Sequence, residues 1–337
     1  MIQKEDKLIF ENKTGGVTTA NPVWLAPLAG ITNHPVRKFF RRLGAGLVHT
    51  EMVSCAGLTR GMGKTTRMLD FSEEEIPLVL QLFAGDTKTL IEGVEIAVSG
   101  RPFAALGINM ACPMPKVRKK GAGAALLYKP DLAFEMIREI KGKNIPVWVK
   151  IRKCPEGHPL GTLKFCEGLL KAGASHITIH GRTPSQRYEG RSDRRLIEEA
   201  AKVFRSRISA SGDIFSPEDV IHFLGKGCSA VFIARGALKD PFIFPKSLKR
   251  LGYNVPEDLA DPDPSLQMQY LIELGNDLYY CYGDRFTDVM VKKIMSGMFK
   301  SIPGINSFRR DAAGMHGWTD LRILLKNTFT ISERRII

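Results

Sequence analysis

Short runs of apolar and β-branched residues recur along this chain, and between them apolar positions fall at helical spacing with polar residues opposite. That alternation predicts β and α units around a parallel sheet. Eight strands are expected: Val23 to Ala26, Leu47 to Glu51, Leu78 to Phe83, Ala104 to Asn109, Val147 to Ile151, His176 to His180, Arg207 to Ala210 and Ala230 to Ala234. The stretches between them read as helices, including Pro35 to Leu43, Asp86 to Val98, Pro130 to Lys141, Leu163 to Ala172, Asp193 to Phe204 and Pro217 to Leu224. Several start at an Asp or at Pro, and Gly44, Gly142, Gly173 and Gly225 stand where they would close. Eight such units ending near residue 250 predict an α/β fold of the (β/α)8 barrel kind, with an open doubly wound sheet as the rival.

Beyond Arg250 the pattern changes. Pro256, Pro262 and Pro264 sit in an acidic, polar stretch, and after it only helical periodicity remains, over Leu266 to Tyr282 and Asp288 to Met298. Domains spanning residues 1–254 and 255–337 follow, the second a small all-helical bundle.

Composition narrows the function classes. The 337 residues are 44% hydrophobic, which excludes a disordered chain. Cys55, Cys112, Cys154, Cys166, Cys228 and Cys281 form no C-x-x-C pair, arguing against a disulfide scaffold, and Cys154 with His158 lacks two further ligands for zinc. Met1 to Gly15 hold no signal-peptide core and no run suits a membrane span, so a cytoplasmic protein without membrane partners is expected. Lys and Arg number 49 against 35 Asp and Glu, a formal charge of +14 that favours a polyanionic partner if the charge is well placed. From Val289 onward nine Lys and Arg face only Asp311, Asp320 and Glu333.

In a (β/α)8 barrel the reacting groups lie at the C-terminal ends of the strands. Those ends offer Pro27, Glu51, Gln81, Asn109 leading to Cys112, Lys150 with Arg152, His180 with Arg182, Ser211-Gly212-Asp213 and Arg235-Gly236. Alternation turns Lys150 to the same face as Trp148. Gly212 and Arg235-Gly236, after the last two strands, match the phosphate site that such barrels build there. A phosphate, a planar ring hydrogen-bonded by Gln81 and a cation at Lys150 read together as FMN, because a positive charge beside a reduced flavin stabilises its anion. Cys112, on a loop over the mouth, is placed to act as nucleophile or proton donor, while the other five cysteines are expected to be inert and buried.

These motifs together resemble the tRNA-dihydrouridine synthase family. The resemblance rests on Ala26-Pro27-Leu28-Ala29-Gly30-Ile31-Thr32, Glu51 to Ser54, Gln81 to Gly85, Asn109 to Pro113 with Lys116 and Gly121 to Leu126, Val149 to Arg152, His180 to Thr183, Ser211 to Ile214, and Ala234 with Arg235-Gly236-Ala237. It implies an FMN-holding barrel, a helical RNA-binding domain at the C-terminus, and NADPH as electron source. In its terms Ala26, Pro27, Leu28, Gln81, Lys150, His180, Ser211, Gly212, Asp213, Ala234, Arg235 and Gly236 bind FMN, and Asn109, Lys116, Arg152 and Arg182 face the substrate. Hydride would pass from flavin N5 to C6 of a uridine in tRNA, and Cys112 would give a proton to C5. Ser211 stands where the family more often has Asn, and Ala111 where it more often has Gly. Ribosomal RNA as substrate and a small-molecule FMN oxidoreductase of the dihydroorotate dehydrogenase kind are the alternatives, and a monomer is expected.

Overall fold

A computed structural model describes residues 12–300 and 304–332; Glu333, Arg334 and Arg335 of the basic tail, and Met1 to Glu11, lie outside the described residues. The strands are β1 (Asn12–Thr14), β2 (Val17–Thr19), β3 (Val23–Leu25), β4 (Val48–His49), β5 (Val53–Ser54), β6 (Leu78–Phe83), β7 (Ala105–Met110), β8 (Val147–Arg152), β9 (His176–His180), β10 (Ile208–Ser211) and β11 (Ala230–Ile233). Parallel pairing runs β3-β11-β10-β9-β8-β7-β6-β4, with β5 also on β6. Leu25 N–H donates to Leu47 O at 3.0 Å and Gly46 N–H to Val23 O at 2.8 Å, so the two ends of that path meet and the sheet closes into the expected (β/α)8 barrel.

Two strand expectations need correction. Within Leu47 to Glu51 only β4, Val48–His49, is strand, and β5 follows beyond it, after a break, at Val53–Ser54. The break does not detach the chain, because Thr50 N–H still donates to Val79 O at 3.0 Å and Gln81 N–H donates to Thr50 Oγ1 at 2.9 Å. The antiparallel hairpin β1–β2 was not expected at all. It closes the N-terminal end of the barrel: Trp148 Nε1 and Ser175 Oγ both donate to Gly15 O, at 3.0 and 2.9 Å. Gly15, at φ +54°, admits no side chain, since a Cβ would lie 2.6 Å from His176 Cβ. Above the hairpin, Trp24 and Trp148 stack at 5.3 Å with His176 and Phe232 against them. These described side chains fill the lower barrel, and the room for chemistry lies at its C-terminal mouth.

Around the barrel lie α1 (His34–Arg42), α2 (Cys55–Thr59), α3 (Gly63–Thr66), α4 (Thr87–Val98), α5 (Pro115–Arg118), α6 (Pro130–Ile140), α7 (Gly161–Ala172), α8 (Arg194–Phe204), α9 (Pro217–Gly225), α10 (Arg235–Lys239) and α11 (Ile243–Arg250). Asp86 and Asp193 accept from the third backbone N–H of α4 and α8, and Ser216 with Asp219 makes a reciprocal cap on α9. Gly173 ends α7 in the left-handed conformation, as expected. Gly225 instead remains helical, with Gly227 taking positive φ, and after α6 it is Asn144 at φ +57° that does so rather than Gly142.

The tail comprises α12 (Glu257–Ala260), α13 (Pro264–Tyr282), α14 (Asp284–Met295), α15 (Ile305–Gly314) and α16 (Trp318–Ser332). It is helical, as expected, and α13 lies along α1 through the ion pairs Lys38–Asp277 and Arg42–Glu273, each 3.2 Å. Leu271, Leu274, Leu278, Leu321 and Leu325 are buried, and one apolar cluster runs from the barrel helices into the tail. Among the described residues no helix is long and apolar enough to cross a membrane.

Candidate active site

Most of the residues singled out from the sequence line one cleft at the barrel mouth: Ala26, Pro27, Leu28, Asn109, Cys112, Lys150, Arg152, His180, Ser211, Gly212, Asp213, Ala234, Arg235 and Gly236. Three do not. Gln81 is buried beneath the lining, Arg182 lies behind it, and Lys116 is exposed on α5.

Cys112 follows β7 on a loop that its neighbours hold rigidly. Asn109 Oδ1 accepts from Ala111 N–H at 3.0 Å and Cys112 N–H at 2.9 Å, while its Nδ2 donates to Gln81 Oε1 at 2.9 Å. Arg152 Nε donates to Ala111 O at 2.8 Å, and its Nη1 to Thr183 O and Arg187 O at 3.0 and 2.8 Å. Both residues, expected to face substrate, therefore also shape the loop that carries the thiol. Cys112 is 8% exposed, and burial raises its pKa above the ordinary thiol value although Met114 N–H and the Arg152 charge work the other way. At neutral pH the thiol keeps its proton. Cys55, Cys154, Cys166 and Cys228 are buried as expected, but Cys281, on the last turn of α13, is exposed.

Beginning on the neighbouring strand β8, the lining is cationic. Lys150 is partly buried in the cleft lining, its Nζ 3.5 Å from Ser211 Oγ, and desolvation reinforced by Arg152 pushes its pKa down to about 7. His180 is pushed to about 2, first by burial and then by Lys150 and the surrounding arginines, so its imidazole is neutral. Asp213, at φ +53°, is the hub of the far end: its Oδ2 accepts from Arg182 Nη2 at 2.6 Å and Ser192 N–H at 2.8 Å, and its Oδ1 from Arg235 Nη2 at 2.9 Å. The Arg182 guanidinium is further engaged by Glu189 O and Gly190 O, which leaves it bracing this corner. Gly212 is required beside it, because a Cβ there would sit 2.5 Å from His180 Cδ2. Glu51, also at a strand end, accepts from Gly30 N–H and so pins the loop after β3.

Reading the strand ends missed Met52, Tyr188 and Phe215, which also line the cleft. Tyr188 lies under Arg235 (4.9 Å to the ring centre) and Arg152 (5.8 Å), and Phe215 under Arg235 at 5.5 Å. Tyr188 is eight residues past the end of β9, so strand position gave no sign of it; a lone aromatic among arginines was the available signal.

The sequence pattern of the Dihydrouridine synthase (Dus) family matches residues 24–331. Similar proteins include tRNA-dihydrouridine synthase B of Pseudomonas aeruginosa, 31% identical over 302 residues, covering 88% of this chain and 89% of that one. A probable tRNA-dihydrouridine synthase of Treponema pallidum is 31% identical, covering 72% and 75%, and one of Aquifex aeolicus is 36% identical, covering 66% and 71%. The match begins in the first barrel strand and ends in the last tail helix, taking in every wall of the cleft, and the chain belongs to the dihydrouridine synthase family.

Proposed function

We propose that this protein reduces the C5–C6 bond of particular uridines in tRNA to dihydrouridine, with FMN as cofactor and NADPH as reductant. The observation that carries the reading is a protonated, nearly buried thiol, Cys112, fixed in the lining of a cleft that also carries Lys150, Arg152 and Arg235. The names of the matched relatives favour a tRNA uridine over the ribosomal and small-molecule alternatives.

The cleft fits FMN on two counts. Lys150 presents a partly desolvated amine to the cleft, with a hydroxyl as near neighbour, so an anionic group would restore its charge, and Gly212 and Gly236 keep side chains out of the corner beside Arg235. In this reading Ala26, Pro27, Leu28, Gln81, Lys150, His180, Ser211, Gly212, Asp213, Ala234, Arg235 and Gly236 hold it. When bound, FMN supplies the hydride-donating, two-electron chemistry that a uracil double bond requires.

The chain's own part is the proton. Cys112 holds it on Sγ until C5 needs it, and the thiolate left behind is stabilised by Met114 N–H and the Arg152 charge. Asn109 and Arg152 keep the loop in register, and neutral His180 adds no charge beside Lys150. The uridine must leave its stack to enter, at a cost of a few kcal/mol that phosphate contacts from exposed cations such as Lys116, Arg118 and Lys119 offset.

The test is position-mapped nucleoside mass spectrometry of tRNA and rRNA from cells with the protein, without it, and with Cys112→Ala. Dihydrouridine is expected to vanish from defined tRNA positions without the protein and to stay absent with Cys112→Ala, while that variant purifies yellow and still oxidises NADPH. No change in either RNA pool would overturn the reading; full product from Cys112→Ala would remove the acid role alone.

A further inference from the structure

At the junction of α13 and α14, residues 279–286 are exposed without interruption, and four of these eight are aromatic: Tyr279, Tyr280, Tyr282 and Phe286. Tyr280 is 92% exposed. Rings of this size rarely stand in water in such a cluster unless something covers them. The Tyr282 and Phe286 rings already lie against each other at 4.7 Å.

The fold puts this cluster beside the cleft. Helix α1 starts at the barrel mouth because it follows the C-terminal end of β3. The ion pairs Arg42–Glu273 and Lys38–Asp277 set α13 antiparallel to it, so the last turn of α13 ends level with the mouth. The carboxylates of Glu51 and Asp70, on the mouth side of the barrel, are near enough to oppose ionisation of Tyr282.

Toward the same end of α13, on its side facing α16, lies a groove lined by Asn276, Tyr279, Tyr280, Trp318, Thr319 and Arg322. Its floor is fixed: Trp318 N–H donates to Asp284 Oδ1 at 2.9 Å and Trp318 Nε1 to Asn276 Oδ1 at 3.4 Å, and Arg322 Nη1 meets the same oxygen at 3.5 Å. Tyrosine faces, a guanidinium and an amide edge form the set that stacks on an unpaired base, meets its phosphate and hydrogen-bonds its edge. The geometry points to this groove as a binding site for an unstacked nucleotide of the RNA substrate, outside the uridine that enters the cleft. The inference rests on RNA being the substrate. Arg322 supplies the cation that a nucleotide's phosphate needs, in a protein whose formal charge is +14.

The test uses the full protein, the tRNA transcript carrying the mapped uridine, and Tyr280→Ala, Tyr280→Phe and Arg322→Ala. Tyr280→Ala is expected to raise KM for tRNA roughly tenfold with kcat held, since losing one base-stacking face is worth about that much. Tyr280→Phe should restore KM, because it keeps the ring, and Arg322→Ala should lower the salt dependence of tRNA binding by about one ion. NADPH oxidation without RNA, and the melting temperature, should not move in the Tyr280 variants. An unchanged KM in Tyr280→Ala with an active wild type would overturn the groove and leave the activity standing. Equal loss in Tyr280→Phe, or a lowered melting temperature, would overturn it in favour of a structural role. A wild type that reduces no RNA would instead remove the reading on which the groove rests.

Discussion

Lys150 shows how a single residue can be strained toward a ligand. A desolvated ammonium in the cleft lining, with a hydroxyl as its near polar neighbour, holds its proton poorly, and its pKa falls from 10.5 to about 7. Between about pH 7 and 10.5 the unfolded chain keeps a proton that the folded one has released, so this group's contribution to stability rises with pH across that window and is most unfavourable below it. Lys150→Met is therefore expected to raise the melting temperature of flavin-free protein at pH 6, with the gain shrinking toward pH 10, and to weaken flavin retention measured by visible absorbance. Equal melting temperatures at pH 6 would show that the ammonium is hydrated in place. Lys150 was legible in the sequence because it alternates with Trp148 into the barrel. Tyr188 was not, because a loop residue's direction depends on what the loop folds against.

Among the elements, helices were read where their ends carry local chemistry, as with Asp86, Asp193 and Ser216, whose side chains meet nearby backbone N–H groups. The hairpin β1–β2 was missed because three-residue strands have no periodicity to read, and its stability comes from Trp148 and Ser175, far along the chain. Similarly, the seat of α16 depends on Gly275 in α13, where a Cβ would lie 2.2 Å from the Trp318 ring. Gly275→Ala gains helix propensity but must displace that ring, and overpacking of this kind costs about 1–3 kcal/mol. A net loss of stability in denaturant titration is expected, with lower affinity for tRNA as the floor of the aromatic groove shifts. A variant as stable as the parent would show that the ring can move freely.

Across the whole molecule, barrel closure gathers uncharged imidazoles in the interior. Burial holds His49 and His176 at about 3 and His180 at about 2. From about pH 6.5 downward the unfolded chain takes up protons that these rings refuse, so stability is lost progressively as pH falls toward 3. Asp193 and Asp213, held below the usual carboxylate range by hydrogen bonds and nearby cations, act in the same direction, and Glu51, raised by burial, acts against them. Thermal melts from pH 7.5 to 4.5 should fall steeply, and His49→Gln should flatten the slope. A profile already flat in the parent protein would mean that water reaches the barrel interior.

The sequence by itself determined the barrel, because alternating burial and helix caps are local, and it placed most of the cleft, because strand C-termini in such a barrel share one end. Tertiary structure alone decided what several of those side chains do. Asn109 and Arg152 spend hydrogen bonds on the Cys112 loop, Arg182 braces Asp213, and Cys112 keeps its proton through burial. Partners distant in the chain and exclusion of water set those roles, and neither is written in the spacing of residues.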